Sequence, residues 1–204
     1  MGREILVVKR DVLLGADSFT GFLLLGNVDF LSRIQKHFEY RELTDALEHD
    51  NAWQQPIPYV WLLKPSTRQV FLYKRAVIGG EARLHNRYSG GIGGHIDKDT
   101  EETSMNPLQD AMMRELHEEL TLAHYPTPTI IGFLKYHSGV EDVHFGIVAV
   151  AETEETPFPA DGMAEGKFYT VQEVETLLAD PAAQFDLWTK GSWDVIKQRL
   201  LSMS

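Results

Sequence analysis

Residues 114–120 read RELHEEL and place three glutamates, Glu115, Glu118 and Glu119, within five positions. Upstream, Asn106-Pro107 offers an N-cap followed by a first-turn proline. Leu108, Met112, Leu116 and Leu120 then recur every four residues. The segment is therefore predicted as a helix with one apolar stripe. Positions 115, 118 and 119 stand at i, i+3 and i+4, so they share a face. The helical repeat sets that face beside the stripe and outside it. Like charges at this spacing repel. Either water screens them, with Arg114 bridging to Glu118, or they form a patch of oxygen ligands. Hard divalent cations take a few carboxylates and leave positions for water and phosphate oxygens.

Working outward, the helix is preceded by a glycine-rich stretch, GGIGGHI at 90–96, read as a strand or strand edge. Glycine lets a backbone come close to a metal or phosphate, and a carbonyl such as that of Gly93 could complete a cation's shell. Before it, PYVWLLK (58–64) and QVFLYKR (69–75) form a predicted hairpin turning on PSTR. After the helix come strands TIIGFLKY (129–136) and VHFGIVAVA (143–151), then a short strand GKFYTV (166–171). Thr170 and Glu173 propose a capping box for a helix over VQEVETLLA, and a last helix is expected near 192–202. At the N-terminus, EILVV (4–8) reads as a strand and residues 27–40 as a helix with Phe30, Leu31, Ile34 and Phe38 on one side and Asn27 or Asp29 as cap. Pro56 and Pro58 close a polar stretch, which sets a boundary near residue 50.

The pattern resembles the signature of the Nudix hydrolase family: a glycine, five residues, a glutamate, seven residues, then Arg-Glu-apolar-X-Glu-Glu-X-Gly-apolar. Arg114 through Leu122 matches its second half, and Gly94 resembles its first glycine. Three positions depart. The loop after Gly94 is six residues longer, Asn106 stands where the first glutamate belongs, and Thr121 replaces the late glycine. Asn106 can still cap the helix. Thr121 would be strained if the chain there needs a positive φ. The resemblance spans about 57–180, and the subgroup it is most similar to is the longer-looped one described as phosphoesterase-like. It implies an α/β chain with a Nudix-type α/β/α sandwich around a mixed central sheet. Residues 1–50 would be an N-terminal α/β extension and residues 51–204 the Nudix domain.

The resemblance also implies chemistry. Water attacks phosphorus in a phosphoanhydride of a nucleoside diphosphate-linked molecule, helped by Mg²⁺ or Mn²⁺ held by Glu115, Glu118, Glu119 and the Gly93 carbonyl. Arg114 would orient the glutamates. The general base is expected among the signature glutamates or later carboxylates, Glu165, Glu141 and Asp142. Arginine forks suit phosphate oxygens. Lys74, Arg75, Arg83, His85 and Arg87 concentrate positive residues ahead of the motif, with Arg83, Arg87 and His95 as the expected substrate contacts. Trp53, Tyr59 and Trp61 fit a strand core better than a base-stacking platform. His137 and His144, seven apart, have no partner at zinc-ligand spacing, so no zinc site is expected. The alternative function is a non-catalytic ligand-binding or regulatory protein on the same fold.

Bulk properties narrow this further. The net charge is −11 over 204 residues, which argues against nucleic acid or an anionic membrane as partner. The expected partner is a small phosphate-bearing molecule, with a homodimer favoured by the habit of relatives. There is no cysteine, so thiolate chemistry and a cysteine-dependent isoprenoid diphosphate isomerase of this fold are excluded. No apolar run is long enough for a signal peptide or a membrane span, so a soluble, cytoplasmic protein is expected.

Overall fold

The computed structural model describes residues 2–75, 87–160 and 163–203. In chain order these form β1 (Glu4–Lys9), α1 (Arg10–Leu13), β2 (Gly21–Leu24), α2 (Phe30–His37), β3 (Glu39–Glu42), β4 (Trp53–Lys64), β5 (Gln69–Arg75), β6 (Tyr88–Ser89) and β7 (Gly91–Ile92). Then follow α3 (Lys98–Glu101), α4 (Pro107–Glu119), β8 (Leu120–Thr121), β9 (Thr129–Lys135), β10 (His144–Glu152), β11 (Phe158–Pro159), β12 (Met163–Thr170), α5 (Val171–Ala179) and α6 (Leu187–Ser202). This is the mixed α/β class with a large mixed sheet that the sequence implied. Two compact units share the chain: Met1–Tyr59, Gly93–Met112 and Ile130–Ala149 make the first, and Val60–Ile92, Met113–Thr129 and Val150–Ser204 the second.

In the first unit, β1 pairs antiparallel with β3, Leu6 opposite Tyr40, and hands its end to β4 through Val8 opposite Gln54. β2 lies antiparallel on β9, Phe22 opposite Leu134. The core gathers Phe19, Phe30, Phe133 and Phe145, with ring centroids 5.2 to 6.2 Å apart in tilted and edge-to-face pairs. Such pairs add about 0.5–1.5 kcal/mol each beyond area burial. Asp29 caps α2 by accepting from Ser32 N at 3.1 Å, which decides between the two candidate caps. Residues 93–98 are tied to the N-terminal strand. Leu6 N donates to Ile96 O at 2.8 Å, and the Arg3 guanidinium forks onto both Asp97 carboxylate oxygens at 2.7 and 2.9 Å.

In the second unit, β5 is flanked by β4 (Leu63 opposite Val70) and β12 (Phe168 opposite Phe71). Trp61 is fully buried, and its indole N–H donates to Ser192 Oγ of α6 at 3.0 Å. The capping box of α5 forms as read: Glu173 N donates to Thr170 Oγ1 at 3.3 Å, and Thr170 N to Glu173 Oε2 at 2.7 Å. α6 starts five residues earlier than the sequence suggested, because Asp186 caps it by accepting from Thr189 N at 2.6 Å. β4 likewise starts at Trp53 and runs through Pro56 and Pro58, with residues 53–63 all buried. Burial on both faces leaves no polar alternation to read, and the prolines looked like an ending. Trp53, Tyr59 and Trp61 are buried to within 7% exposure, so they are core. Among the described residues, no helix is long and apolar enough to cross a membrane.

Candidate active site

Asn106 opens α4: its Oδ1 accepts from Gln109 N at 3.3 Å, while its own N–H donates to Ser104 Oγ at 2.9 Å. Pro107 occupies the first turn, where its missing N–H costs nothing. The position where the family signature carries a glutamate is thus used here as a cap. Ala111, Met112 and Leu116 are fully buried. Burial of Met112 and Leu116 contributes about 2 kcal/mol each, and it fixes which way the rest of the helix faces.

The helix stops at Glu119. Leu120 and Thr121 leave it as β8, antiparallel to β11, with Thr121 opposite Phe158, and Ala160 N donates to Glu119 O at 2.9 Å. Leu120 is still buried, as the stripe required, but from a strand. This accounts for Thr121. The chain exits in an extended conformation, which suits a β-branched residue, and no positive φ is found at this position. The exit is fastened by Tyr125, whose OH donates to Leu120 O at 2.8 Å and whose ring stacks on His117 with centroids 3.6 Å apart.

The glutamates are not equivalent. Glu118 is exposed, Glu119 half-buried and Glu115 only 6% exposed, so Glu115 joins the buried stripe that it was expected to flank. Arg114 explains how a carboxylate can be tolerated there. Its Nη1 donates to Glu115 Oε1 and to Glu118 Oε2, both at 2.8 Å. Two carboxylates therefore converge on one guanidinium nitrogen. Burial nevertheless pushes the Glu115 carboxyl up to about 7; Arg114 opposes the rise, and the charges of Glu118 and Glu119 add to it. A buried acid with two anionic neighbours gains from a nearby cation.

The remaining expectations are distributed as follows. Glu165 lies on β12 opposite Lys74, is mostly exposed, and is paired with the Lys74 ammonium at 3.2 Å. The hydrogen bond that the Lys74 ammonium donates to Glu165, and then its hydrogen bond with Tyr88, raise the Lys74 pKa. Tyr88, Glu165, Gly166, Lys167, Tyr169 and Leu177 line a pocket of the second unit. Arg87 is half-buried just before β6. Arg83 and His85 lie outside the described residues. In the first unit, Gly93 has no room for a side chain, since a Cβ there would stand 1.7 Å from Pro58 O. Its close backbone approach is to Pro58. His95 contacts Gln55 Oε1 at 2.8 Å. Asp142 is engaged by Arg10 at 3.0 Å and His137 at 3.3 Å; burial raises its pKa, but these partners outweigh it and lower the net value.

One group of chemistry-bearing residues escaped the sequence altogether. Glu48, His95 and His144 bring ligand atoms within 4.8 Å of one another in the first unit. They come from three distant segments, so no spacing rule could have gathered them.

A capped, half-buried helix ending in three carboxylates, with a strand at its exit, is found on a fold matched throughout in Tm1382, a structure provisionally classed as a Nudix hydrolase. The match has a TM-score of 0.74 and 27% identity over 96% of this chain and 99% of that one. The chain belongs to the Nudix hydrolase family, the pyrophosphohydrolases built on this fold. It is 30% identical over 208 residues to Protein YmaB of Bacillus subtilis (strain 168), covering 97% of this chain and 98% of that protein. A bifunctional NMN adenylyltransferase/ADP ribose pyrophosphatase of Francisella tularensis, complexed with AMP and a manganese ion, shares the fold at a TM-score of 0.51 and 12% identity, over 72% of this chain and 42% of that one. No protein-family model matches the chain.

Proposed function

We propose that the protein hydrolyses a phosphoanhydride bond in a nucleoside diphosphate-linked or similar small molecule, with Glu115, Glu118 and Glu119 holding Mg²⁺ or Mn²⁺. The observation that carries this is the convergence of Glu115 and Glu118 on Arg114 Nη1, with Glu119 one turn along from Glu115. The donor set is all carboxylate oxygen, which suits a hard, partly hydrated cation that shares its shell with phosphate oxygens. The cation would supply charge neutralisation for the diphosphate and leaving group. Arg114 holds the carboxylates in place, and Glu115, whose carboxyl stands near 7, needs a positive charge to ionise fully at neutral pH. Glu165 is proposed as the carboxylate that takes the proton of the attacking water, with Lys74 fixing its position. Arg83 and Arg87 remain the proposed phosphate contacts.

Asn106 and Thr121, which kept a non-catalytic reading open, both have structural accounts: one caps α4 and the other enters β8. The test is release of a phosphorylated product from ADP-ribose, NADH, nucleotide sugars, dinucleoside polyphosphates, coenzyme A and nucleoside triphosphates with Mg²⁺ or Mn²⁺. Turnover of at least one, lost in a folded Glu119→Gln variant, supports the reading. A Glu119→Gln enzyme working at the parental rate refutes the ligand assignment.

A further inference from the structure

The fully buried amide of Gln55, on β4, meets three separate segments of the first unit. Its Nε2 donates to Leu47 O at 3.5 Å, its Oε1 faces His95 Nε2 at 2.8 Å, and its backbone N–H donates to Val143 O at 2.7 Å. Each of these contacts sits on or beside one member of the Glu48, His95 and His144 cluster. Glu48 follows Leu47 in the single 3₁₀ turn Leu47–His49, and His144 follows Val143 as the first residue of β10. Because the Gln55 amide nitrogen donates to Leu47, its oxygen is the atom that accepts from His95. His95 Nε2 then carries the proton, and Nδ1 keeps the lone pair.

His144 is 7% exposed and lies between two carboxylates. Its Nε2 is 3.9 Å from Glu48 Oε2, and its Nδ1 is 4.0 Å from Glu141 Oε2. The rings of His95 and His144 meet edge-on with centroids 5.9 Å apart. The separation from Glu48 is too long for a hydrogen bond, and it lies about 0.5 Å beyond the spacing of two ligands on a tetrahedral zinc ion. Zinc bonds of about 2.1 Å to nitrogen and oxygen at tetrahedral angles set ligand atoms about 3.4 Å apart. All the ligand atoms lie within 4.8 Å of one another, so side-chain movements of at most about 1.4 Å close the cluster on an ion. Glu48 and His95 are partly exposed, which gives an ion a way in.

We propose that Glu48, His95 and His144 form a second metal site that takes a borderline first-row divalent ion, zinc foremost, with Gln55 orienting the His95 imidazole. Two imidazoles and one carboxylate favour such an ion over Mg²⁺. Partners on the far ring nitrogens are the usual means of fixing ligating histidines. Three protein ligands leave a coordination position open. Gln55 acts here as a positioning residue.

The experiment titrates the metal-stripped full chain with ZnCl₂ and MgCl₂ by calorimetry and records the Co²⁺ absorption spectrum. It is repeated in a Glu115→Gln/Glu119→Gln background that removes the α4 carboxylates. One Zn²⁺ per chain with nitrogen coordination, unchanged in that background, is expected. His144→Asn and His95→Asn should each weaken Zn²⁺ by about a hundredfold or more, and Gln55→Leu by about ten- to a hundredfold at unchanged stoichiometry. Zn²⁺ held equally well by both histidine variants, or lost with the α4 carboxylates alone, overturns the site. Should His144→Asn fail to fold, the partly exposed His95 and Glu48→Gln decide in the same way. Because the α4 variant separates the two ions, failure here leaves the proposed hydrolase reading standing.

Discussion

The acidic end of α4 and the Glu48–His95–His144 cluster are both groups of titratable side chains, but they are built in opposite ways. On α4 the residues are neighbours in sequence, and one helical turn sets their spacing before any packing occurs. Packing then decides which of them is buried: Glu115 sinks with Met112 and Leu116, while Glu118 stays in water. In the other cluster nothing is local. A 3₁₀ turn, the residue after a glycine pair and the start of a strand meet because Gln55 is placed among them. The donors of the first arrangement would suit a hard, oxygen-seeking ion, and those of the second a borderline one that takes imidazole. Proximity in the chain therefore says nothing about which kind of ion a site suits; donor chemistry does.

The largest effect expected is on turnover. Glu119→Gln keeps the shape of α4 and removes one negative charge from the proposed ligand set, so metal-dependent hydrolysis should fall about a thousandfold, or roughly 4 kcal/mol in barrier. His144→Asn changes none of the α4 carboxylates. If it lowered the rate by the same factor under Mg²⁺ alone, the chemical distinction between the two clusters would be wrong.

Next comes pH. The Glu115 carboxyl stands near 4.5 in the unfolded chain and about 7 when folded, because burial penalises its charge. An acid whose pKa is raised by folding supports the fold while protonated and withdraws that support as pH rises. Metal-free stability should therefore fall by about 3 kcal/mol between about pH 4.5 and 7. Urea unfolding of the stripped protein at pH 5 and pH 8 measures this, Mg²⁺ should reverse it, and Glu115→Gln should flatten it. A profile already flat in the parent chain would mean that Arg114 compensates Glu115 completely.

Lys135 probes the frame of the other cluster. Its buried Nζ donates to the carbonyls of Glu141, Asp142 and His144 at 3.0, 2.7 and 3.0 Å, and burial draws its pKa down to about 8. Lys135→Met leaves three acceptors without their donor and should cost about 2 kcal/mol or more in unfolding experiments. An unchanged midpoint would show that water replaces the ammonium. The smallest effect belongs to Glu118. Its i,i+4 contact with Arg114 is mostly solvated, so Glu118→Gln should change metal-free stability by only about 0.4 kcal/mol. A loss as large as that at Lys135 would erase the contrast between the buried and exposed members of the α4 patch.

Much of this was readable in one dimension. The cap at Asn106, the stripe at Met112 and Leu116, the capping box of α5 and the shared face of the three glutamates are local. Each depends on a few neighbouring residues whose helical spacing is fixed by backbone geometry. The sequence misjudged what depends on burial. β4 runs through two prolines, α6 starts at a cap hidden in an apolar context, Thr121 needs no special φ because a strand takes over, and Glu115 is inside. Composition alone determined that an acidic, cysteine-free chain has no thiolate to offer as nucleophile or ligand. Only the tertiary structure decided that Glu48, His95 and His144 meet. Contacts between residues tens of positions apart arise from strand pairing and core packing, which leave no periodic trace in the order of the amino acids.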